Sequence, residues 1–126
     1  MRILGIDFGT KRIGLALSDE THTFAREHGI LSPKEFWAQL SNLISTEQIE
    51  RIVVGLPLNM SGGETEKSRE VHAFAGQLTE RARLPIELMD ERLTSVMASG
   101  LPGGKSDVDS LAAQIILQNY LDKNKQ

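Results

Sequence analysis

Residues 5–19 read GIDFGTKRIGLALSD and set a single carboxylate, Asp7, at the end of an apolar run. Ile3, Leu4 and Ile6 surround the entry to that run, while Ile13, Leu15 and Leu17 alternate with smaller residues beyond it. Between them lies a short loop containing Gly9, Thr10 and Lys11. Two β-type runs joined by a glycine-bearing loop of this length predict a hairpin. Asp7 then stands where a strand leaves the core. A charged group in apolar surroundings is costly unless it has a partner, so the hairpin raises the question of what Asp7 binds.

Working outward, residues 22–32 (HTFAREHGILS) carry a poorer pattern and give a third, weaker strand. In SPKEFWAQLSNLIS (32–45), Ser32 and Glu35 form a capping box around Pro33, and Phe36, Trp37, Leu40, Leu43 and Ile44 fall on one helical stripe. RIVVGLP (51–57) is β-branched without polar alternation, as in a strand buried on both faces. The loop 58–68 offers Ser61 and Glu64 as a second capping box, ahead of a helix whose stripe is Val71, Phe74, Ala75, Leu78 and Ala82. LPIELMDER (84–92) reads as another buried strand ending in charge, and residues 106–126 as a closing helix with a polar tail. Hairpins followed by βαβ units predict an α/β fold with a mixed sheet and helices on its faces.

A chain of 126 residues is expected to form one domain spanning 1–126. With 40% hydrophobic and 25% charged residues it has the composition of an ordinary globular protein. There is no cysteine, which excludes disulfides, thiolate metal sites and a cysteine nucleophile. No apolar stretch approaches the roughly 18 residues of a membrane span, and MRILGID lacks a signal-peptide layout, so a cytoplasmic location is expected. A net charge of −3 leans away from nucleic acid, yet an acidic site that collects divalent cations would also make the sum negative.

Three acidic positions share a place in the pattern. Asp7 ends the first strand, Glu91 or its neighbour Asp90 ends the last, and Asp109 lies in the first turn of the last helix. The carboxyl ends of parallel strands open on one edge, where sites form in open α/β sheets. Asp109, Ala112, Ala113 and Ile116 share a helical face, and the alanines let that face lie close to the sheet. Three converging carboxylates repel one another unless cations neutralise them, and oxygen-only ligation suits Mg²⁺ or Mn²⁺. Two such ions support phosphodiester cleavage. Each residue also has an ordinary structural reading. Asp7 can bond the turn amides, Glu91 can pair with Arg92, Asp109 can complement its helix terminus, and Asp107 can cap it.

GIDFGTKRIGLALSD, IVVGLPLNMSG, DERLTS and VDSLAAQIILQNYL resemble, in order and across nearly the whole chain, the YqgF/RuvX family. These are pre-16S rRNA nucleases, or Holliday junction resolvase-like proteins, of the ribonuclease-H-like superfamily. The resemblance implies a ribonuclease-H-like α/β fold, with a mixed five-stranded sheet of order 3-2-1-4-5 flanked by helices. It implies an acidic triad holding Mg²⁺ or Mn²⁺ as two ions, and motif by motif that triad is Asp7, Glu91 and Asp109. Asp90 is then the lesser member of its pair, and Asp107 reads as a cap.

Many family members carry a longer, strongly basic segment before the last helix, whereas residues 96–107 here include Lys105 as their one basic residue. Lys11, Arg12, Arg92 and Lys105 remain as candidate nucleic-acid contacts, with Lys67 and Arg69 near the second helix. Asn59, Ser61 and the two glycines of PLNMSGG offer either phosphate-binding amides or turn chemistry. His22, His28 and His72 have no metal-ligand spacing. The expected activity is metal-dependent hydrolysis in maturation of the 16S rRNA 5′ end. The expected partners are structured RNA or a DNA junction, a pre-ribosomal particle, and no membrane, with the chain a monomer or homodimer. The alternatives are junction resolution, a nucleotide site like the first phosphate loop of sugar kinases, which needs a second domain, and a non-catalytic binding module.

Overall fold

A computed structural model describes residues 1–90 and 108–124, the side chains of 108–110 excepted. The chain runs β1 (Arg2–Asp7), β2 (Ile13–Ser18), β3 (Ala25–Leu31), α1 (Pro33–Glu47), β4 (Ile49–Leu56), α2 (Glu66–Ala82), β5 (Ile86–Asp90) and α3 (Val108–Lys123). The strands form one sheet of order β3-β2-β1-β4-β5. β1 is antiparallel to β2 and parallel to β4; β2 is antiparallel to β3, and β4 is parallel to β5. This is the ribonuclease-H-like arrangement that the motifs imply.

Strand alternation divides the core in two. Leu4, Ile6, Ile52 and Val54 turn to one face, where they bury against Phe36 and Leu40 of α1 and Val71, Phe74 and Leu78 of α2. Ile3, Ala16, Ala25 and Val53 turn to the other, under Ala113, Ile116, Leu117, Tyr120 and Leu121 of α3. Because period-2 side chains feed both layers, β1 and β4 need apolar residues at successive positions, hence the unbroken runs in their sequences. On the first face Phe8 stacks on Phe74 with ring centroids 4.4 Å apart, Trp37 lies 5.4 Å from Phe74, and the Arg81 guanidinium sits 4.6 Å over Trp37.

The local signals act as their chemistry directs, with two exceptions. Ser32 caps α1 reciprocally with Glu35, and those hydrogen bonds hold the Glu35 carboxyl below its ordinary pKa. The cap of α2 is not Ser61 with Glu64 but Thr65 with Ser68. Asn59 is the reason: its Oδ1 accepts from the amides of Ser61 (3.0 Å) and Gly63 (2.8 Å) and from the Ser61 hydroxyl (2.7 Å), which winds the loop and delays the helix. β5 is likewise not a buried strand. It pairs with β4 alone, and Glu87 and Leu88 are exposed.

The second half of α3 is fastened to both sides of the sheet, through Gln118 and Tyr120. Near the start of β3, Gln118 accepts from the Ala25 amide (2.8 Å) and donates to the Thr23 carbonyl (3.0 Å), so helix side chains satisfy an edge strand. At the opening of β4 and β5, Arg51 donates to Tyr120 (2.9 Å) and to Glu87 (2.7 Å), and the Tyr120 hydroxyl also donates to Glu87. Burial, then Glu87, raises the Tyr120 pKa above its ordinary value. Among the described residues, no helix is long and apolar enough to cross a membrane.

Candidate active site

β1, β4 and β5 run parallel, so their carboxyl ends share one edge of the sheet. Asp7 ends β1 there, half-buried, one residue beyond the Ile6–Val54 pair. Asp90 ends β5 opposite Leu56 of β4. With β4 between them, the two strand ends lie about 10 Å apart at the backbone. They differ in face, however. Asp7 has the parity of Ile3 and Gly5, which face α3, whereas Asp90 has the parity of Ile86, which packs with the α1 and α2 layer.

The position of α3 along β1 follows from one glycine. A Cβ placed on Gly5 would lie 2.7 Å from Leu117 Cβ and 3.2 Å from the Ala113 carbonyl oxygen, so the helix backbone rests on the bare strand. Leu121 and Ile3 belong to the same buried cluster two strand residues back from that contact. Four helix residues rise about 6 Å, much the same as two strand residues. By the same step, with Leu121 at Ile3 and Leu117 at Gly5, the next turn sets Ala113 level with Asp7, and the backbone of Asp109 lies one turn further out, past the end of β1. The end of β1 and the start of α3 thus lie at the same edge of the sheet.

Asp7 is the one member of the predicted triad whose side chain is described. Glu91 lies outside the described residues, as do Arg92, Lys105, Asp107 and the 96–107 loop. Among the described residues no three carboxylates or histidines gather as a metal-ligand set. The donor chemistry that Asp7 brings to this edge, a half-buried carboxylate, suits a hard divalent cation.

Lys11 and Arg12 stand exposed on the β1–β2 loop, where Gly9 is needed because a Cβ there would lie 2.6 Å from the Arg12 carbonyl oxygen. A cleft of about 590 Å³ opens between this loop and the start of α2, lined by Phe8, Lys11, Arg12, Glu66, Lys67 and Glu70 among others. It is on the α2 side of the edge, next to Asp7 in sequence. Glu66 and Glu70 were invisible as site residues because only packing sets α2 beside the hairpin loop. Of the two readings of PLNMSGG, turn chemistry holds. The amides of Ser61, Gly62 and Gly63 all bond to Asn59, which leaves none of them for a phosphate. His22 bonds Glu50 (2.9 Å) and His72 approaches Glu64 (3.4 Å), both as surface pairs. A second cavity, of about 430 Å³ and lined by His22, Glu50, Arg51 and Tyr120, lies at the opposite edge of the sheet.

Residues 1–123 match the family model described as "RuvX: Holliday junction resolvase". A relative from Maridesulfovibrio salexigens, bearing the name "Putative pre-16S rRNA nuclease", is 41% identical over 96% of this chain and 98% of its own length. One of the same name from Syntrophomonas wolfei is 41% identical over 97% of this chain and 94% of its own. Among solved structures, Thermus thermophilus RuvC in complex with a Holliday junction substrate superposes with a TM-score of 0.63 at 16% identity, covering 98% of this chain and 95% of that one. The fowlpox virus Holliday junction resolvase gives 0.57 at 11% identity, covering 98% and 99%. The structural likeness carries the fold, and the family match spans the motifs from which Asp7 and Asp109 come. By that match, and by identity along nearly its whole length, the chain belongs to the RuvX family, a family of nucleases.

Proposed function

We propose that this chain is a divalent-cation-dependent nuclease, one domain over residues 1–126, that hydrolyses a phosphodiester bond in maturation of the 16S rRNA 5′ end. The observation that carries the reading is the half-buried carboxylate of Asp7 at the carboxyl edge of the central strand, the edge at which α3 begins. The names of the full-length relatives supply the substrate. Asp7, Glu91 and Asp109 form the proposed ligand set. Asp90, the acid beside Glu91, has the parity of Ile86 and so belongs to the α1 and α2 side of the sheet, the face away from Asp7. The family motif puts Glu91 in the set instead.

Bound Mg²⁺ or Mn²⁺, as a pair, supplies an activated water and stabilises the leaving oxygen. The chain's part is to hold three carboxylates in fixed geometry and to offset phosphate charge from Lys11, Arg12, Arg92 and Lys105. Junction resolution is the second reading, favoured by the family model's description and acting on the same residues.

The test is cleavage of labelled pre-16S RNA and of a four-way DNA junction, with and without Mn²⁺, by the wild type and by Asp7→Asn. Metal-dependent RNA cutting that disappears in the variant is expected. Cutting of the junction alone moves the assignment to resolution. Equal cutting by Asp7→Asn refutes the site.

A further inference from the structure

We infer that the cleft between the β1–β2 loop and α2 seats the backbone of an RNA strand beside Asp7, with Lys11 and Lys67 on its phosphates and Glu66 and Glu70 on its ribose 2′-hydroxyls. This deepens the nuclease reading above and rests on it. The cleft, about 590 Å³, falls in the size range of ligand sites and begins at Phe8, the residue after Asp7. A strand held at Asp7 and running over the sheet edge enters it directly. Phe8 forms part of the wall and is held rigid by its stacking on Phe74.

Charge is the informative feature. The cleft mixes both signs, yet among the described residues no hydrogen bond or ion pair engages the side chains of Lys11, Lys67, Glu66 or Glu70. Glu66 and Glu70 stand four apart on α2, a spacing at which like charges repel. Glu66 stands in the first turn of α2, where the helix terminus rewards an acid, whereas Glu70 lies beyond that turn with its charge on the cleft wall. A track for phosphates alone would exclude carboxylates. A carboxylate accepts hydrogen bonds and cannot donate them, so the ligand must bring donors as well as anionic oxygens. The ribose–phosphate backbone of RNA brings both, because its 2′-hydroxyl donates; DNA brings only the phosphates.

Binding is measured on the full chain carrying Asp7→Asn, in Mg²⁺, with a short single-stranded RNA, the same sequence as DNA, and the RNA bearing 2′-deoxy sugars singly along its length. Adding Lys11→Ala with Lys67→Ala is expected to weaken RNA and DNA alike and to lower the log–log salt slope by about 1.4, two single-strand phosphate contacts. Adding Glu66→Ala with Glu70→Ala is expected to cut the RNA-to-DNA affinity ratio about tenfold while DNA binding holds or improves, and one or two 2′-deoxy positions should reproduce the loss. An unchanged salt slope, or an unchanged ratio, overturns the inference. If wild type cleaves RNA while these variants bind as before, the cleft reading falls and the nuclease reading stands. If wild type cleaves nothing while the ratio responds as expected, the reverse holds. If no RNA binds, both fall.

Discussion

Gly5→Ala adds one methyl group at the point where α3 touches β1. The new Cβ would lie 2.7 Å from Leu117 Cβ and 3.2 Å from the Ala113 carbonyl oxygen, where ordinary contact begins at 3.4 Å. One of these atoms is helix backbone and the other is fixed to it, so no rotamer change relieves the overlap. The helix must recede or tilt. Overpacking of this kind costs about 1–3 kcal/mol, partly offset by the roughly 0.5–1 kcal/mol that alanine gains over glycine in a strand. For a chain of this size the net loss is a fall in Tm of several degrees, at about 3–5 °C per kcal/mol. The larger effect falls on activity. α3 carries Asp109, and a displacement of about 1 Å at a catalytic constellation costs on the order of 10²-fold in rate. The assay is Mn²⁺-dependent RNA cleavage well below Tm, beside a thermal melt. Gly76→Ala is the control: nothing lies within 4 Å of its added Cβ, so the same chemical change on α2 should stabilise by about 0.5–1 kcal/mol and leave cleavage alone. Full activity in Gly5→Ala, with a melt matching wild type, would refute the seating of α3 on β1.

Mg²⁺ should raise the wild-type Tm through preferential binding to the folded chain, by about 2.7 kcal/mol at a hundredfold excess over Kd; a rise of equal size in Asp7→Asn would remove Asp7 from the ligand set. Asp19, in the β2–β3 turn, accepts from the Thr21 hydroxyl and from the Phe24 and Thr23 amides, which together lower its pKa to about 2. Its folded value lies below its unfolded one, so its contribution is complete above about pH 4 and fades as the pH falls towards 2. Asp19→Asn should accordingly be less stable than wild type at neutral pH, with the gap closing across that window in acid melts. Tyr120→Phe leaves Arg51 paired with Glu87 at 2.7 Å and should cost about 0.5–1.5 kcal/mol in urea unfolding without changing cleavage.

Much of the fold is legible in residues 1–60, because there local chemistry and tertiary position agree. The alternation after Asp7, the β-branched run at 51–54 and the Ser32 capping box each describe their surroundings. Misreadings arose where position in the sheet or a competing side chain decides. IELM looks like a buried strand from its residues, yet its place at the end of the order leaves Leu88 in solvent. The third strand is where its residues put it, and its pattern is poor because it is the other edge, with Ala25 its one buried residue and Gly29 at φ +140° beside an irregularity in the pairing with β2. Ser61 satisfies the capping pattern, but Asn59 reaches its amide first. At the candidate site, the location of Asp7 follows from the hairpin alone, while the gathering of both signs of charge around the cleft depends on which helix packs beside the loop. No spacing in one dimension records that.

The division of the core between the two faces also orders events during synthesis. The layer of α1 and α2 is complete once residue 82 has been made, whereas Ile3, Ala16, Ala25 and Val53 have nothing over them until residues 113–121 arrive. At elongation speeds of about 5–20 residues per second, that face of the nascent sheet stays open for seconds after its strands exist. The segment that closes it is also the one bearing Asp109. A ribosome-bound chain short of α3 would therefore lack the proposed ligand set as well as half its core. Under the proposed function, such a chain would be unable to cut RNA before its folding is finished.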